Sequence, residues 1–252
     1  MSTGAQYRAP TRWNAPTRPE ELAALIDHTL LKPEATASQV EALCAEAIEH
    51  GFCSVCVNPV HIRLVRATLD RLASGSRARS GPVVGSVAGF PLGASRSETK
   101  ADEAARAMDD GATEIDMVAA IGSLADGDGA TVRADILAVA KVVHRVPGGV
   151  LKVILEAGAL STERVILGCR CAAEGEADFV KTSTGLHPSG GATAELVQLL
   201  HRHAAPMKVK ASGGIRTARD CLTMIEAGAS RIGTSAGVAI LTEFRIATLG
   251  AP

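Results

Sequence analysis

Short β-branched runs and longer alanine-rich stretches of apolar periodicity alternate along most of the chain. Apolar runs without polar alternation suit strands covered on both faces, and apolar positions three and four apart suit helices that pack along one side. On this reading strands span Ile26 to Leu30, Ser54 to Val57, Val83 to Ala88, Glu114 to Val118, Val150 to Glu156, Ala177 to Thr182, Met207 to Ala211 and Arg231 to Gly233. Helices are expected over 37–50, 59–73, 95–110, 128–145, 161–173, 193–203, 216–227 and 235–246. Ser38 or Thr36 caps the first of them, and Ser161-Thr162-Glu163 opens another. Gly51, Gly111, Gly175 and Gly228 follow helix ends, where positive φ is commonly required.

The unit repeats. Strand-end residues Asp27, Cys56, Asp116, Lys181, Lys210 and Gly233 imply a period of roughly 29 residues per strand, the size of one strand-helix unit. Eight such units predict an α/β fold of the (β/α)8 TIM-barrel type, one domain over 19–252 behind a flexible leader at 1–18. An open doubly wound sheet is the alternative, but the GxGxxG that usually follows its first strand is missing. The leader carries Arg8, Arg12 and Arg18 without an acid, as a transit peptide would; Pro10 and Pro16 interrupt the helix such a peptide needs.

Composition narrows the partners. Hydrophobic residues make up 46% of the 252 residues and aromatics only 2%, so Ala, Val, Ile and Leu must fill the interior. With 26 basic and 27 acidic residues the net charge is −1, and no long basic block exists, which argues against nucleic-acid and membrane surfaces and for a small soluble substrate. Six cysteines without a secretory signal, and no apolar run of spanning length, point to the cytoplasm.

The chemistry gathers at strand ends. Asp178-Phe179-Val180-Lys181 reads as a buried strand that closes on a lysine before the turn Thr182-Ser183-Thr184-Gly185, whose glycine is free to take positive φ. An amine against apolar walls loses hydration, which disfavours its ammonium form and leaves it nucleophilic. Lys210 ends the next strand, and two neighbouring ammonium groups repel, so one sheds its proton more readily. A surface lysine and a structural ion pair are the plainer readings of each taken alone. Strand alternation puts Glu114 and Asp116 on one inward face, and Asp27 with Thr29 on another; Asp27 either meets substrate or orients Lys210. Ser212-Gly213-Gly214 and Gly233-Thr234-Ser235 follow the last two strands, where barrels commonly hold phosphate on bare backbone N–H groups.

Three other motifs are weaker. Residues 233–237 match GxSxG, but no histidine follows to complete a hydrolase triad. Cys53 and Cys56, like Cys169 and Cys171, have spacings that diverge on a strand or a helix, so they read as buried small hydrophobes, with Cys56 the one facing the cavity. His201 and His203 end a helix, where cations favour the dipole.

The stretches DHTLLKPEAT (27–36), SVCVNP (54–59), GFPLG (89–93), EIDMV (114–118), FVKTSTG (179–185), GGAT (190–193), VKASGGIR (209–216) and RIGTSAGV (231–238) resemble the deoxyribose-phosphate aldolases. The likeness runs from about Glu20 almost to the end, with the motifs in order. It implies Lys181 as the Schiff-base lysine, with Asp116 and Lys210 relaying protons. It implies Thr29 and Thr184 around the substrate, where Asp27 and Cys56 are expected as well, and Gly214, Gly233 and Ser235 at the phosphate, with Gly185 and Gly213 expected beside them. The implied reaction is reversible cleavage of 2-deoxyribose 5-phosphate to glyceraldehyde 3-phosphate and acetaldehyde, in deoxyribonucleotide catabolism, with no metal or other cofactor, by a homo-oligomer (dimer or tetramer). Leu186-His187-Pro188-Ser189 departs from the phenylalanine common after KTSTG, and Ala119-Ala120 replace bulkier residues. The C-terminal tyrosine of some members has no counterpart, Tyr7 being the only tyrosine. A sugar-phosphate isomerase or a metabolite-binding barrel is the competing reading, though neither gains from two clustered lysines.

Overall fold

The computed structural model describes residues 15–74 and 81–249. The expected leader lies largely outside them, as does Tyr7; Pro19–Ala23 (α1) begins the described helices with its proline in the first turn, where a missing N–H costs nothing.

All eight expected strands form, and each pairs in parallel with its sequence neighbours: β1 (Ile26–Leu30), β2 (Ser54–Val57), β3 (Val83–Ala88), β4 (Glu114–Val118), β5 (Val150–Ile154), β6 (Phe179–Lys181), β7 (Lys208–Ser212) and β8 (Arg231–Thr234). Asp27 pairs with Gly233, which closes the sheet on itself as a (β/α)8 barrel. β5 ends two residues early because Glu156 turns into the left-handed region at φ 53°.

Alternation sorts the strands into two environments. Val55, Ile115, Met117, Leu151, Val153, Val180, Val209, Ala211 and Ile232 face outward into the shared apolar core against the helices. Asp27, Asp116, Lys152, Lys181 and Lys210 face inward and are buried. The barrel interior is therefore largely ionic, where branched apolar side chains are usual.

The helices are α2 (Ala37–His50), α3 (Ile62–Ala73), α4 (Ser97–Asp109), α5 (Ile121–Asp126), α6 (Gly129–Val143), α7 (Thr162–Glu174), α8 (Ala194–His203), α9 (Ala218–Glu226) and α10 (Gly237–Leu249). Thr36, not Ser38, caps α2, in a reciprocal box with Gln39. Gly51, Gly111 and Gly228 take positive φ as expected, but Gly175 sits at φ −88° and Glu176 takes the left-handed turn instead. Gly175 is small for another reason: a Cβ there would come within 2.7 Å of Ile136 Cγ2. α1 and α5 were not expected, since each is too short for apolar periodicity to register.

One buried ion pair fixes the end of β4. Lys100 Nζ donates to Asp135 Oδ2 at 2.7 Å and to the Val118 carbonyl at 2.9 Å, and the same carboxylate oxygen accepts the Ala120 N–H. This strut holds the segment that carries Asp116. Among the described residues no helix is long and apolar enough to cross a membrane.

Candidate active site

Register brings the two expected lysines side by side. Lys181 on β6 and Lys210 on β7 are directly paired positions, and both ammonium nitrogens lie 2.7 Å from Asp116 Oδ2 on β4. The ends of their strands are stitched together. Ser183 Oγ donates to the Ser212 carbonyl at 2.7 Å, Ser212 Oγ donates to the Ser183 carbonyl at 2.6 Å, and Thr182 Oγ1 accepts the Ser212 N–H at 3.0 Å. Two lysines on stitched neighbouring strands cannot separate.

Above them lies a cavity of about 320 Å³ at the C-terminal mouth of the barrel. Lys181, Thr29 and Thr184 line it, together with Gly185, Gly213, Gly214, Gly233 and Ser235. Every expected phosphate residue is thus on its wall, and Gly233 and Ser235 come just before α10, whose first N–H groups lack intrahelical acceptors. Two wider clefts of about 500 and 560 Å³ follow β3, but neither contains any of the expected site residues. The chemistry points to the smaller one.

Asp27, Cys56, Asp116 and Lys210 are not on that wall; they are buried beneath it. Asp27 was expected against substrate or Lys210, and its contacts favour the second: Ser54 Oγ donates to Oδ1 at 2.7 Å, Arg231 also binds Oδ1, and Lys210 Nζ pairs with Oδ2 at 2.5 Å. Gly233 sits at ordinary φ, and its smallness serves Lys210: a Cβ would lie 3.0 Å from Lys210 Cε. Gly213 is constrained on three sides, since at φ 87° its Cβ would meet Ser183 Oγ at 2.7 Å, Gly191 Cα at 2.9 Å and Gly185 Cα at 3.0 Å.

The electrostatics separate the two lysines. Burial disfavours both ammonium groups. At Lys210 the carboxylates of Asp116 and Asp27 overcome that cost and hold its pKa above the ordinary lysine value. At Lys181 burial, aided by the Lys210 charge, outweighs the attraction of Asp116, and its pKa falls below that value. Burial alone would raise the Asp116 carboxyl, but Lys181, Lys210 and Lys152 hold it well below the usual carboxylate range. The repulsion expected between the lysines is present, second to burial. Cys56 is pushed up to about 11, chiefly by burial, so it is a thiol at neutral pH.

Lys152, Arg231 and Glu156 carry no expectation from the sequence, and Glu114, expected on the inward face with Asp116, has no partner assigned there. Lys152, Glu114 and Arg231 join the buried charges: Lys152 Nζ lies 2.5 Å from Glu114 and 3.2 Å from Asp116, and Arg231 donates to Glu114 at 2.9 Å. The signal was a lysine at an inward position of an apolar run, Val150-Leu151-Lys152-Val153-Ile154. Glu156 accepts from Thr184 Oγ1 at 2.6 Å and from the Thr184 N–H at 3.2 Å, fixing that wall. Lys32, Arg216 and Leu186 also line the cavity, so two exposed cations border it.

The family model for DeoC/LacD aldolases matches residues 22–243. The chain is 50% identical over 222 residues to a deoxyribose-phosphate aldolase of Thermococcus gammatolerans, covering 88% of this chain and 95% of the relative. It is 52% identical over 232 residues to one of Rhodospirillum rubrum, with 92% of each chain covered. Among solved structures it is similar to the tetrameric deoxyribose phosphate aldolase of Aeropyrum pernix, at a TM-score of 0.83 and 36% identity, covering 92% of this chain and 94% of that one.

Proposed function

The chain belongs to the DeoC/LacD family of aldolases, and from that premise we propose that it cleaves 2-deoxy-D-ribose 5-phosphate reversibly to D-glyceraldehyde 3-phosphate and acetaldehyde through a Schiff base on Lys181. The observation that carries this reading is the environment of Lys181: a buried amine of lowered pKa, on the cavity wall, bonded to an Asp116 oxygen that a charged Lys210 also binds.

The neutral Lys181 amine adds to the aldehyde carbon of the open-chain sugar, and loss of water gives an iminium cation. That cation accepts the electron pair of the C2–C3 bond. The bond breaks as Asp116, ionised and acting through a water, takes the proton of the C3 hydroxyl; the C3 fragment leaves as glyceraldehyde 3-phosphate and the other remains as an enamine. Protonation of the enamine and addition of water release acetaldehyde and restore the amine. Lys210 stays charged and keeps Asp116 oriented.

The phosphate sits on the wall formed by Gly185, Gly213, Gly214, Gly233 and Ser235, with Lys32 and Arg216 as counter-charges. Binding energy at that remote group aligns the sugar over Lys181. The same reading takes 19–252 as one catalytic domain, working in the cytoplasm as a homo-oligomer in deoxyribonucleotide breakdown.

Borohydride reduction in the presence of acetaldehyde tests the mechanism. An ethyl group on the peptide holding Lys181 is expected; a protein that cleaves the sugar phosphate but traps no adduct there would overturn it.

A further inference from the structure

The charges beneath the cavity close into a ring. Arg231 bonds Asp27 and Glu114; Asp27 pairs with Lys210; Lys210 bonds Asp116; Asp116 Oδ1 faces Lys152 at 3.2 Å; and Lys152 returns to Glu114 at 2.5 Å. Signs alternate all the way round. Each cation of the ring touches two carboxylates, and the three cations match the three carboxylates. Lys181 hangs outside, held among the described residues by Asp116 alone, through an oxygen it shares with Lys210.

A neutral ring has no carboxylate to spare for a seventh charge. Burying an unbalanced charge is expensive, so the group that surrenders its proton is the one that forfeits the fewest contacts. Lys152 or Lys210 would forfeit two carboxylates and Lys181 only one.

We infer that this ring determines which lysine of the cluster is the uncharged one, with Glu114, Lys152 and Arg231 acting as positioning residues for the Lys181 amine; the inference rests on the reading of Lys181 as the nucleophile. None of the three lines the cavity. Asp116 from β4 bonds Lys181, Lys210 from β7 and Cys56 from β2 act on it, Lys152 from β5 meets it through Asp116, and Asp27, Glu114 and Arg231 are reached through Lys210 and Lys152. The Cys56 thiol, pushed up to about 11, adds no charge near neutrality. Glu156 is turned to Thr184.

Charge count predicts opposite effects from the two halves of one ion pair. Removing the Lys152 cation leaves three carboxylates against Lys210 and Arg231, a deficit that a protonated Lys181 fills. Removing the Glu114 charge enlarges the positive excess. A role in packing alone has no such sign.

The test is competitive acetylation with trace acetic anhydride, followed as a function of pH by mass on the Lys181 peptide, which reads the free-amine fraction without substrate or turnover. Lys152→Met should move the Lys181 midpoint up by about one pH unit or more, and Glu114→Gln should move it down by a similar amount. The double variant, with the pair removed together, should return close to the unaltered protein. Midpoints that stay put, or move the same way in both single variants, would overturn the ring's role. Should Lys152→Met fail to fold, Glu114→Gln and the double variant carry the decision: a double variant that keeps the Glu114→Gln midpoint overturns it. Loss of the acetaldehyde adduct in the unaltered protein would instead strike at the aldol chemistry of Lys181 and leave the labelling result standing.

Discussion

Lys181 and Lys210 occupy paired positions on adjacent strands and share one oxygen of Asp116, each at 2.7 Å, yet their pKa values move in opposite directions. Lys210 touches a second carboxylate, Asp27, and Lys181 does not. Burial, aided by the Lys210 charge, prevails at Lys181, whereas two carboxylates prevail over burial at Lys210.

Stability should report the same asymmetry. A lysine whose folded pKa is raised stabilises the fold below its unfolded value near 10.4, whereas one whose folded pKa is lowered costs stability there. Lys210→Met should therefore destabilise the protein at neutral pH by about 3–5 kcal/mol, because it strands buried carboxylates. Lys181→Met should leave stability unchanged or raise it. Urea denaturation of both variants checks this; equal losses would contradict the assigned protonation states.

Asp116→Asn keeps the shape of the side chain and removes its charge. Turnover of the sugar phosphate should fall by about 10²–10⁴-fold, the usual size of a lost general acid-base contribution. Stopped-flow measurement of acetaldehyde imine formation should show that step impaired as well, since the amine and its proton relay share this carboxylate.

Ser235→Asp places a negative charge on the cavity wall proposed to hold the phosphate. KM for the phosphorylated sugar should rise about tenfold or more, while borohydride trapping of free acetaldehyde is unaffected. Arg216→Met should act in the same direction more weakly, because Arg216 is exposed. Equal impairment of phosphorylated and free substrates would place the anion elsewhere.

Gly213→Ala should cost about 1–3 kcal/mol and weaken phosphate binding, since its new methyl would press on Ser183, Gly191 and Gly185 from a backbone held at positive φ. Thermal melting together with KM for the phosphorylated sugar checks both halves. Gly214→Ala has the same sign of φ but open space around it, so it should cost less.

Acid should loosen the barrel from within. The Asp27 and Asp116 carboxyls are held below the usual range, so their contribution is present above the unfolded value near 3.9 and is lost as pH falls from about 5 toward their folded values. Urea midpoints measured downward from neutrality should decline across that window, and Asp27→Asn should flatten the slope.

The barrel was legible because short, largely apolar strands alternate with apolar-periodic helices, several of them opened by a capping Thr, Ser or Asp, and both periods survive in one sequence. The lysines and Asp116 were legible because alternation fixes which face each residue takes. The partners of Asp27 were not: Arg231 lies 204 residues away in sequence, and only closure of β8 onto β1 brings the two together. Lys152 was hidden by its neighbours, since a lone lysine within VLKVI looks like an interruption until the strands on either side are seen to be charged. Glu156 carried no signal, because its left-handed turn is imposed by contacts and not by its own preference.

The loops after β6 and β7 interlock through glycines: the Gly213 carbonyl accepts the Ala192 N–H, and a Cβ on Gly191 would lie 2.1 Å from that same oxygen. Neither loop can be remodelled without remaking its neighbour. A variant that accepts longer or unphosphorylated aldehydes must therefore come from the segment after β1, at Lys32 and its neighbours, where exposed side chains can be exchanged one at a time.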